Sequence, residues 1–211
     1  MSNARNLADL LGTNTLIQPS NLNLTANYAF TGTVTGTSDF VLLDSDSTGA
    51  SNVAYADVTL SQSTDYHHQI LVVNGYYNNN DAQDMAWQVV EGGSAITASS
   101  SYFYQYIGRR YGVSTEGGSS HTDGSFRFNW YAVGNGSGEM SDLYIKIFNA
   151  PTSSLRTTFH AEVNGISNDG NTYTNYASAT RNGYAVCEKI RMRASAGNIY
   201  YSNYALYGVK L

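Results

Sequence analysis

The sequence predicts an all-β protein: an antiparallel, jelly-roll-like β-sandwich preceded by a short N-terminal helix and an extended arm. Three observations predict this class. From residue 40 onward, short apolar or alternating runs recur between polar turns, as in sheets with one buried face. The turns are rich in Gly, Asn and Ser, which favour tight reversals of the chain. Strand patterns do not alternate with helical ones, which argues against a parallel-sheet fold.

The first residues of the chain, "SNARNLADLLGTNT", predict a helix because apolar residues recur at the three- and four-residue spacing of one helix face. Ser2 is suited to cap the start of this helix, and Gly12 to end it. An isolated helix this short is marginal in water. We therefore expect its apolar face to bury against a neighbouring subunit or another protein; that face comprises Ala4, Leu7, Ala8, Leu10 and Leu11.

Residues 13–39 predict an extended arm. The segment is poor in charge and rich in Asn, Thr and Gly, and weak alternation around residues 29–34 allows one strand within it. The chain is therefore expected to have two parts, an N-terminal attachment helix and arm (1–39) and a β-sandwich head (40–211).

The head is expected to form its strands from ten runs, and alternation predicts the buried face in several of them. The runs are 40–43, 53–60, 66–73, 85–90, 101–108, 125–133, 142–148, 155–163, 183–194 and 198–211. In 142–148, alternation places Leu143, Ile145 and Ile147 on the core side. Three other runs also predict a single apolar face, comprising Leu155, Thr157, Phe159, Ala161 and Val163; Tyr66, His68, Ile70 and Val72; and Phe126, Phe128, Trp130 and Ala132.

The composition of the chain excludes several classes of partner. The formal net charge is −5 and only 13% of the residues are charged, so general affinity for nucleic acid is not expected. Two small basic groups, Arg109–Arg110 and Lys189–Arg193, are too few to form a phosphate-binding stripe. No apolar stretch is long enough to cross a membrane. No signal peptide is visible, so we expect the chain to be made in a cytoplasm and not exported by the usual route.

The surface is expected to be neutral, rich in hydroxyl groups and stiff, since Asn, Ser, Thr and Gly take the place of charges and the chain has 18 tyrosines. Such surfaces are typical of extracellular and particle-surface β proteins. The single cysteine, Cys187, excludes a disulfide within the chain, and its place in a strand pattern predicts a small buried side chain.

Motifs for catalysis or metal binding are weak or missing. "DSDSTG" at residues 44–49 begins like a calcium loop but lacks the final carboxylate, which favours a polar turn. His67 and His68 are adjacent in a strand and are expected to point to opposite faces. No nucleophile elbow or phosphate loop is present. We therefore expect no enzyme activity, no cofactor and no metal, with solvated carboxylates at Asp84, Glu91, Asp123, Glu139 and Glu162.

Tyrosine-rich segments are the more informative feature. "NGYYNNND" and "SYFYQYIG" expose some of their rings if the strands simply alternate. Tyrosine offers an apolar face with a polar rim, which suits contact with a sugar or with another protein. The alternative is that these rings fill the core or a subunit interface. The candidate contact residues are Tyr76, Tyr77, Tyr102 and Tyr104.

Both ends of the chain resemble virion proteins of tailed phages. The opening "MSNARNLADLLGTNT", with its "ARNLADLL" core, resembles the start of many tail-fibre and other structural proteins of marine and cyanobacterial phages. The ending "KIRMRASAGNIYYSNYALYGVKL" is similar to their C-terminal strand pair, but "SNY" at 202–204 stands where "SGT" is usual. The positions that match are Ser195, Gly197, Asn198, Leu206, Tyr207 and Gly208. The resemblance implies a non-enzymatic virion protein with a β-sandwich, commonly assembled as a trimer.

Three functional hypotheses follow. The first is a virion structural protein on the particle exterior, a short tail fibre or a head decoration protein, assembled in the host cytoplasm and attached to capsid or tail proteins through residues 1–39. The second is a carbohydrate-binding adhesin that recognises a host surface glycan. The third, a glycan-degrading depolymerase, requires two convergent carboxylates, which the spacing does not indicate.

Overall fold

The computed structural model describes residues 39–112, 115–129, 131–136 and 138–210, and these residues form strands, turns and loops but no helix. The prediction of an all-β protein with antiparallel sheets is therefore confirmed for this part of the chain. The predicted helix, with Ala4, Leu7, Ala8, Leu10 and Leu11, and the arm up to residue 38 lie outside the described residues. Trp130 also lies outside them.

The described residues contain 15 strands. They are β1 (Phe40–Asp46), β2 (Ala50–Val53), β3 (Ala56–Thr59), β4 (Tyr66–Asn78), β5 (Met85–Glu91), β6 (Ser94–Ala95), β7 (Tyr102–Arg110), β8 (Glu116–Ser120), β9 (Phe126–Arg127), β10 (Ser141–Phe148), β11 (Thr158–Ile166), β12 (Thr172–Arg181), β13 (Lys189–Ala194), β14 (Ile199–Tyr201) and β15 (Asn203–Lys210).

The strands form two sheets. The large sheet has the order β1-β15-β4-β10-β11-β12-β7-β8, and β14 and β2 extend it beside β4. The small sheet has the order β3-β13-β5-β6, with β9 also paired to β5. All of the strand pairs are antiparallel.

The core lies between the two sheets, and strict alternation builds it. In β10 the side chains of Leu143, Ile145 and Ile147 are buried while their neighbours are not, as predicted. The small sheet contributes Trp87 and Ile190, which are fully buried. Each fully buried apolar side chain of this size contributes about 1.5–3 kcal/mol to stability. Aromatic rings join the sheets, with Phe126 stacked on Phe159 at a ring distance of 4.9 Å, and Tyr102, Phe128 and Trp87 around them.

In the run 66–73, the face that carries Tyr66, His68, Ile70 and Val72 is not the side that packs into the central core, although Ile70 is buried. The core side of β4 carries Leu71 and Val73, which are fully buried, rather than Tyr66 and His68. The register explains this, because β4 is a central strand in which Leu71 pairs with an inward residue on each side, Ile145 and Leu206. Both faces of this part of β4 are apolar, so alternation alone did not identify the inner one.

The run 125–133 forms a strand over only two residues, Phe126 and Arg127, which pair with β5. Phe126 and Phe128, which are predicted to share a face, are both fully buried. The strand ends because the amide of Asn129 bonds to the backbone instead: its oxygen accepts from Met85 N, and its nitrogen donates to Tyr131 O. Because β9 belongs to the small sheet and β10 to the large one, these two consecutive strands do not pair with each other.

In the run 155–163, Thr157, Phe159, Ala161 and Val163 are buried as predicted, but Leu155 is 54% exposed. Strand β11 begins only at Thr158, so Leu155 lies in the preceding turn, where alternation has no meaning.

Candidate functional site: the outer groove

Three of the four tyrosines proposed as contact residues are buried, so the interpretation of them as exposed platforms is wrong. Tyr76 and Tyr102 are fully buried and Tyr104 is nearly so. The hydroxyl of Tyr76 donates to Arg193 O at 2.9 Å, and that of Tyr102 donates to Ile96 O at 3.0 Å. These rings fill the core, and their hydroxyl groups donate hydrogen bonds within the chain.

A β-bulge in β4 turns Tyr76 inward. Ser141 pairs with Tyr76 and Leu143 with Val73, so three steps along β4 match two along β10. The extra residue reverses the order of faces beyond it. Gly75 has φ +65°, and a Cβ there would lie 2.3 Å from Ser202 Oγ, so glycine is required at the bulge.

Tyr77 is the one candidate that stays partly exposed. It stacks on Tyr200 of the paired strand β14, with ring centroids 4.5 Å apart and an interplanar angle of 7°. One face of this ring is therefore covered by Tyr200 within the chain.

The structure places a different set of side chains on the open face of the large sheet. Since Tyr102 and Tyr104 face inward, the alternate residues of β7 face outward, and the antiparallel register sets them against alternate residues of β12. Ile107 pairs with Tyr176, and Gln105 pairs with Ser178. The outward pairs at the two ends are Arg109 with Thr174 and Phe103 with Thr180.

These side chains line a groove, here called the outer groove, that runs along β7 between β12 and β8. It consists of three adjoining depressions of about 880, 650 and 340 Å³. The first two share Ile107 and Tyr176, and the second and third share Gln105 and Ser178, so the depressions are continuous. From Phe103 to Tyr111 the groove follows eight residue steps, roughly 25 Å.

The floor of the outer groove combines exposed apolar groups with neutral polar ones. Tyr111 is 79% exposed, Tyr176 57%, Ile107 53% and Phe103 38%. Hydroxyl and amide groups lie between them, among them Gln105, whose Nε2 donates to Ser178 Oγ at 3.3 Å. Further neutral or imidazole side chains along the groove are Thr115, Ser119, His121, His160, Thr174 and Thr180.

Charge in the outer groove is concentrated at Arg109. Its guanidinium forms no hydrogen bond or ion pair with any other described residue. The neighbouring Arg110 is ion-paired with Asp169 and lies 5.0 Å from the ring centroid of Tyr131. Hydrogen bonding from Ser167, with a smaller effect of Arg110, lowers the pKa of Asp169, so this pair is already neutral as a unit.

His67 and His68 do not diverge as predicted. Their Nδ1 atoms lie 3.0 Å apart, and the ring of His68 also stacks on Phe148 at 5.2 Å. Burial, followed by the charges of His67 and Lys146, lowers the pKa of His68. Strict alternation does not hold here, because the pairing of β4 with β15 is irregular: His68 pairs with Val209 and Tyr66 with Lys210, which leaves His67 as an extra residue. Among the described residues, no group of three or more His, Cys, Asp or Glu is placed to hold a metal ion.

The turn that resembles a calcium loop is held by its own hydrogen bonds. Asp46 Oδ1 accepts from Thr48 N, Thr48 Oγ1 and Gly49 N, and Oδ2 accepts from the hydroxyl of Tyr201. The bonds from Thr48 are the main cause that lowers the pKa of Asp46. Both carboxylate oxygens are thus used in shaping a polar turn.

The other singled-out carboxylates each have a different partner, and two are less solvated than expected. Asp84 pairs with Arg127 and Glu91 with Arg181, and burial raises the pKa of Asp84. The remaining three accept hydrogen bonds as follows: Asp123 from Tyr104, Glu139 from Gly136 N and Glu162 from Asn164. Cys187 is buried as predicted, and burial raises the pKa of its thiol.

Comparison with known proteins adds no identification: no family model, curated protein or solved structure matches this chain. Within the described residues, the structure contains no helix long and apolar enough to cross a membrane. The outer groove is therefore interpreted from its own geometry.

Proposed function

We propose that this chain is a non-enzymatic structural protein of a bacteriophage virion, placed on the particle exterior as a short tail fibre or a head decoration protein. Residues 1–39 attach it to capsid or tail proteins through the N-terminal helix and arm, and the head (40–211), a jelly-roll-like sandwich, faces outward. A homotrimer and assembly in the host cytoplasm belong to the same proposal. The resemblance of both chain ends to tailed-phage proteins supports it.

The outer groove is the observation that carries the proposal of a binding head. A sheet face that exposes Phe103, Ile107, Tyr111 and Tyr176 together suits contact with a partner, because large apolar groups are usually scattered singly on soluble proteins. Tyrosine with Ser, Thr and Gln is also the composition of adaptable binding surfaces. The head acts by packing and hydrogen bonding, without a catalytic step.

The location is tested by labelling intact particles of the encoding phage with gold-tagged antibody against the head and imaging them by electron microscopy. We expect label at one fixed position on every particle. A particle population without label would exclude the virion proposal.

The attachment role is tested with a chain that lacks residues 1–12. We expect this variant to retain the β circular dichroism spectrum of the full chain but to be absent from purified particles. A double variant, Asn6→Ser with Asp9→Ser, alters the polar face of the same segment and is expected to incorporate normally. Incorporation of the deletion variant would contradict attachment through this helix.

A second candidate function is that of a carbohydrate-binding adhesin for a host surface glycan, and the lining of the outer groove favours it. Exposed rings beside hydroxyl and amide groups suit the apolar face and polar rim of a sugar. In this proposal Tyr176, Gln105 and Ser178 take the place of the buried Tyr76, Tyr102 and Tyr104.

Glycan-array binding by the full chain tests the adhesin. We expect Tyr176→Ala to abolish binding and Tyr144→Ala to leave it unchanged, because Tyr144 is exposed on the same sheet but does not line the groove. Equal loss in both variants would place the site elsewhere, and no binding to any glycan would exclude the adhesin.

A further inference from the structure

We infer that the Arg109 end of the outer groove binds an anionic sugar residue of a linear glycan, with the acidic group on the Arg109 guanidinium and the ring on Tyr176. The inference rests on the adhesin function proposed above and adds the class of glycan. It follows from the state of the arginines, the arrangement of groups around Arg109 and the orientation of the one carboxylate among the residues that line the groove.

Arg109 differs from the other arginines of the described residues, because each of those is already engaged. Arg110, Arg127, Arg181 and Arg191 are in ion pairs. Arg156 lies between the rings of Phe103 and Tyr184, and Arg193 Nε donates to Ala194 O. Arg109 is exposed and has no such partner within the described residues, so its charge is available to a ligand.

The groups around Arg109 suit a sugar. Arg109 pairs with Thr174 of β12 on the outward face, and the neighbouring pair on that face is Ile107 with Tyr176. Thr115 and Tyr111 line the same depression. The hydroxyl of Thr174 donates to Asn164 Oδ1 at 2.7 Å and keeps its own oxygen free to accept. A sugar can therefore stack on a ring while its hydroxyl groups reach a threonine.

The guanidinium sets the charge of the ligand. Its planar fork matches the two oxygens of a carboxylate or sulfate group, and such charge-assisted pairs are the strong hydrogen bonds of protein sites. The shared chemistry is an acidic group on a sugar ring, either a uronic-type carboxylate or a sulfate ester.

The acidic residue that lines the outer groove does not face Arg109. Glu116 is the sole acidic residue among those that line the groove, and it pairs with Gly108 across β7 and β8. Residues paired across strands share a face, and Gly108 faces inward toward Tyr131 and Asn175. Glu116 therefore points to the face opposite that of Arg109.

The net charge of the chain is −5, and this predicts a weak dependence of binding on salt concentration. An acidic glycan is not attracted by the chain as a whole, so its attraction is local to one arginine. Salt is expected to weaken binding only as much as the screening of a single ion pair requires. A steep dependence on salt would contradict a one-arginine site.

The test uses the full chain and three matched oligosaccharide probes, measured by calorimetry: a polygalacturonate oligomer, the same oligomer after reduction of its carboxyl groups, and a sulfated oligosaccharide. We expect the carboxylated or the sulfated probe to bind about tenfold more tightly than the reduced one. The Arg109→Gln variant is expected to lose this preference. The Arg109→Lys variant, which keeps the positive charge, is expected to retain part of it. Arg193→Gln, on the small sheet, serves as the matched control and retains the preference.

Each outcome has a distinct meaning. Equal binding of the acidic and reduced probes overturns the inference while leaving glycan binding intact. Failure to bind any probe or any arrayed glycan overturns both. Arg109-dependent binding of a poly-glutamate peptide without binding of a glycan assigns the groove to a protein partner and also overturns the inference. Unchanged circular dichroism of every variant verifies that the fold is retained.

Discussion

The outer faces of the two sheets both carry an arginine near aromatic rings, but the arginine is ion-paired on one sheet and unpaired, among the described residues, on the other. On the small sheet, Arg191 forms two hydrogen bonds to Asp57, at 2.7 and 2.9 Å, and lies 3.7 Å from the ring centroid of Tyr55. Along the outer groove of the large sheet, Arg109 lies near Tyr111 and Tyr176 with no partner among the described residues. An arginine beside aromatic rings is thus paired on the small sheet and unpaired, among the described residues, on the large one.

The comparison shows that composition does not locate a site by itself. The run 189–193 has more positive charge than 109–110, yet Arg191 is neutralised by Asp57 within the small sheet. What distinguishes the groove is that Tyr111 and Tyr176 are more than half exposed and that Arg109 has no partner among the described residues. Stability measurements on variants of the two regions test this difference.

Alkaline pH is expected to unfold the protein, because the tyrosines on the inner faces are held protonated. Burial is the main cause that raises the pKa of Tyr76, Tyr102 and Tyr173, and it also raises the pKa of Tyr204 to about 12. In the unfolded chain these groups ionise near pH 10. The stability they confer is therefore complete below pH 10 and is lost as the pH rises toward their folded pKa values.

The loss is about 1.4 kcal/mol per pH unit for each tyrosine, so four of them remove about 5 kcal/mol per unit, close to the whole stability of a small domain. Denaturant unfolding followed by circular dichroism between pH 8 and 12 measures it. Tyr173→Phe is expected to reduce the slope by one such increment. A free energy of unfolding that does not change up to pH 12 would contradict the prediction.

Phe159→Ala is expected to lower the free energy of unfolding by about 3–5 kcal/mol, since it leaves a cavity in the fully buried ring cluster. Tyr176→Ala, on the other face of the same large sheet, is the matched control and is expected to change it by less than about 0.5 kcal/mol. Urea unfolding at neutral pH compares them. A large loss in the control would mean that Tyr176 is part of the core structure and not a free group.

Asp57→Asn is expected to cost about 1–2 kcal/mol, because it weakens two charge-assisted hydrogen bonds at a mostly buried pair. Arg109→Gln breaks no contact within the described residues and is expected to be neutral within about 0.5 kcal/mol. Chemical unfolding of both variants in the same buffer gives the contrast directly. A cost for Arg109→Gln equal to that for Asp57→Asn would show that Arg109 has a structural partner.

Gln105→Ala is expected to have the smallest effect, a few tenths of a kcal/mol, because the bond to Ser178 is long and exposed to water. Thermal unfolding detects it as a minor shift in Tm. A shift of several degrees would mean that the groove floor stabilises the sheet.

The fold class could be predicted from the sequence, because a sheet with one buried face repeats every second residue. Leu143, Ile145 and Ile147 illustrate this, with hydrophilic or partly exposed neighbours. The inward set Phe159, Ala161 and Val163 follows the same rule. The rule failed where both faces carry apolar groups, as at Ile70 and Leu71 of β4, both of which are buried.

The sequence predicts the type of residue in the candidate site, tyrosine, but not the positions that form it. Tyrosines on an exposed face were expected, but the bulge at Asn74–Gly75 reverses the side on which Tyr76 lies. A glycine inside a strand run is a recognised signal of such a bulge and could have warned of it. The aromatic run 101–108 is ambiguous because both of its faces carry rings.

The groove itself could not be foreseen from local patterns. It joins β7 and β8 to β12, more than 50 residues later in the chain, and only the register of these strands brings Tyr176 beside Ile107. Arg109 was recognised merely as part of a small basic group. Its importance depends on which of its neighbours turn outward.

The order of strands also determines when the protein can fold during its synthesis. Strand β13 lies between β3 and β5, and β15 lies between β1 and β4, so both sheets depend on residues 189–210 for an interior strand. During translation, the neighbouring strands β1, β3, β4 and β5 therefore keep unpaired backbone groups until residues 189–210 have left the ribosome. Premature termination upstream of them leaves a product with neither layer complete, and cellular proteolysis or chaperone capture is its expected fate.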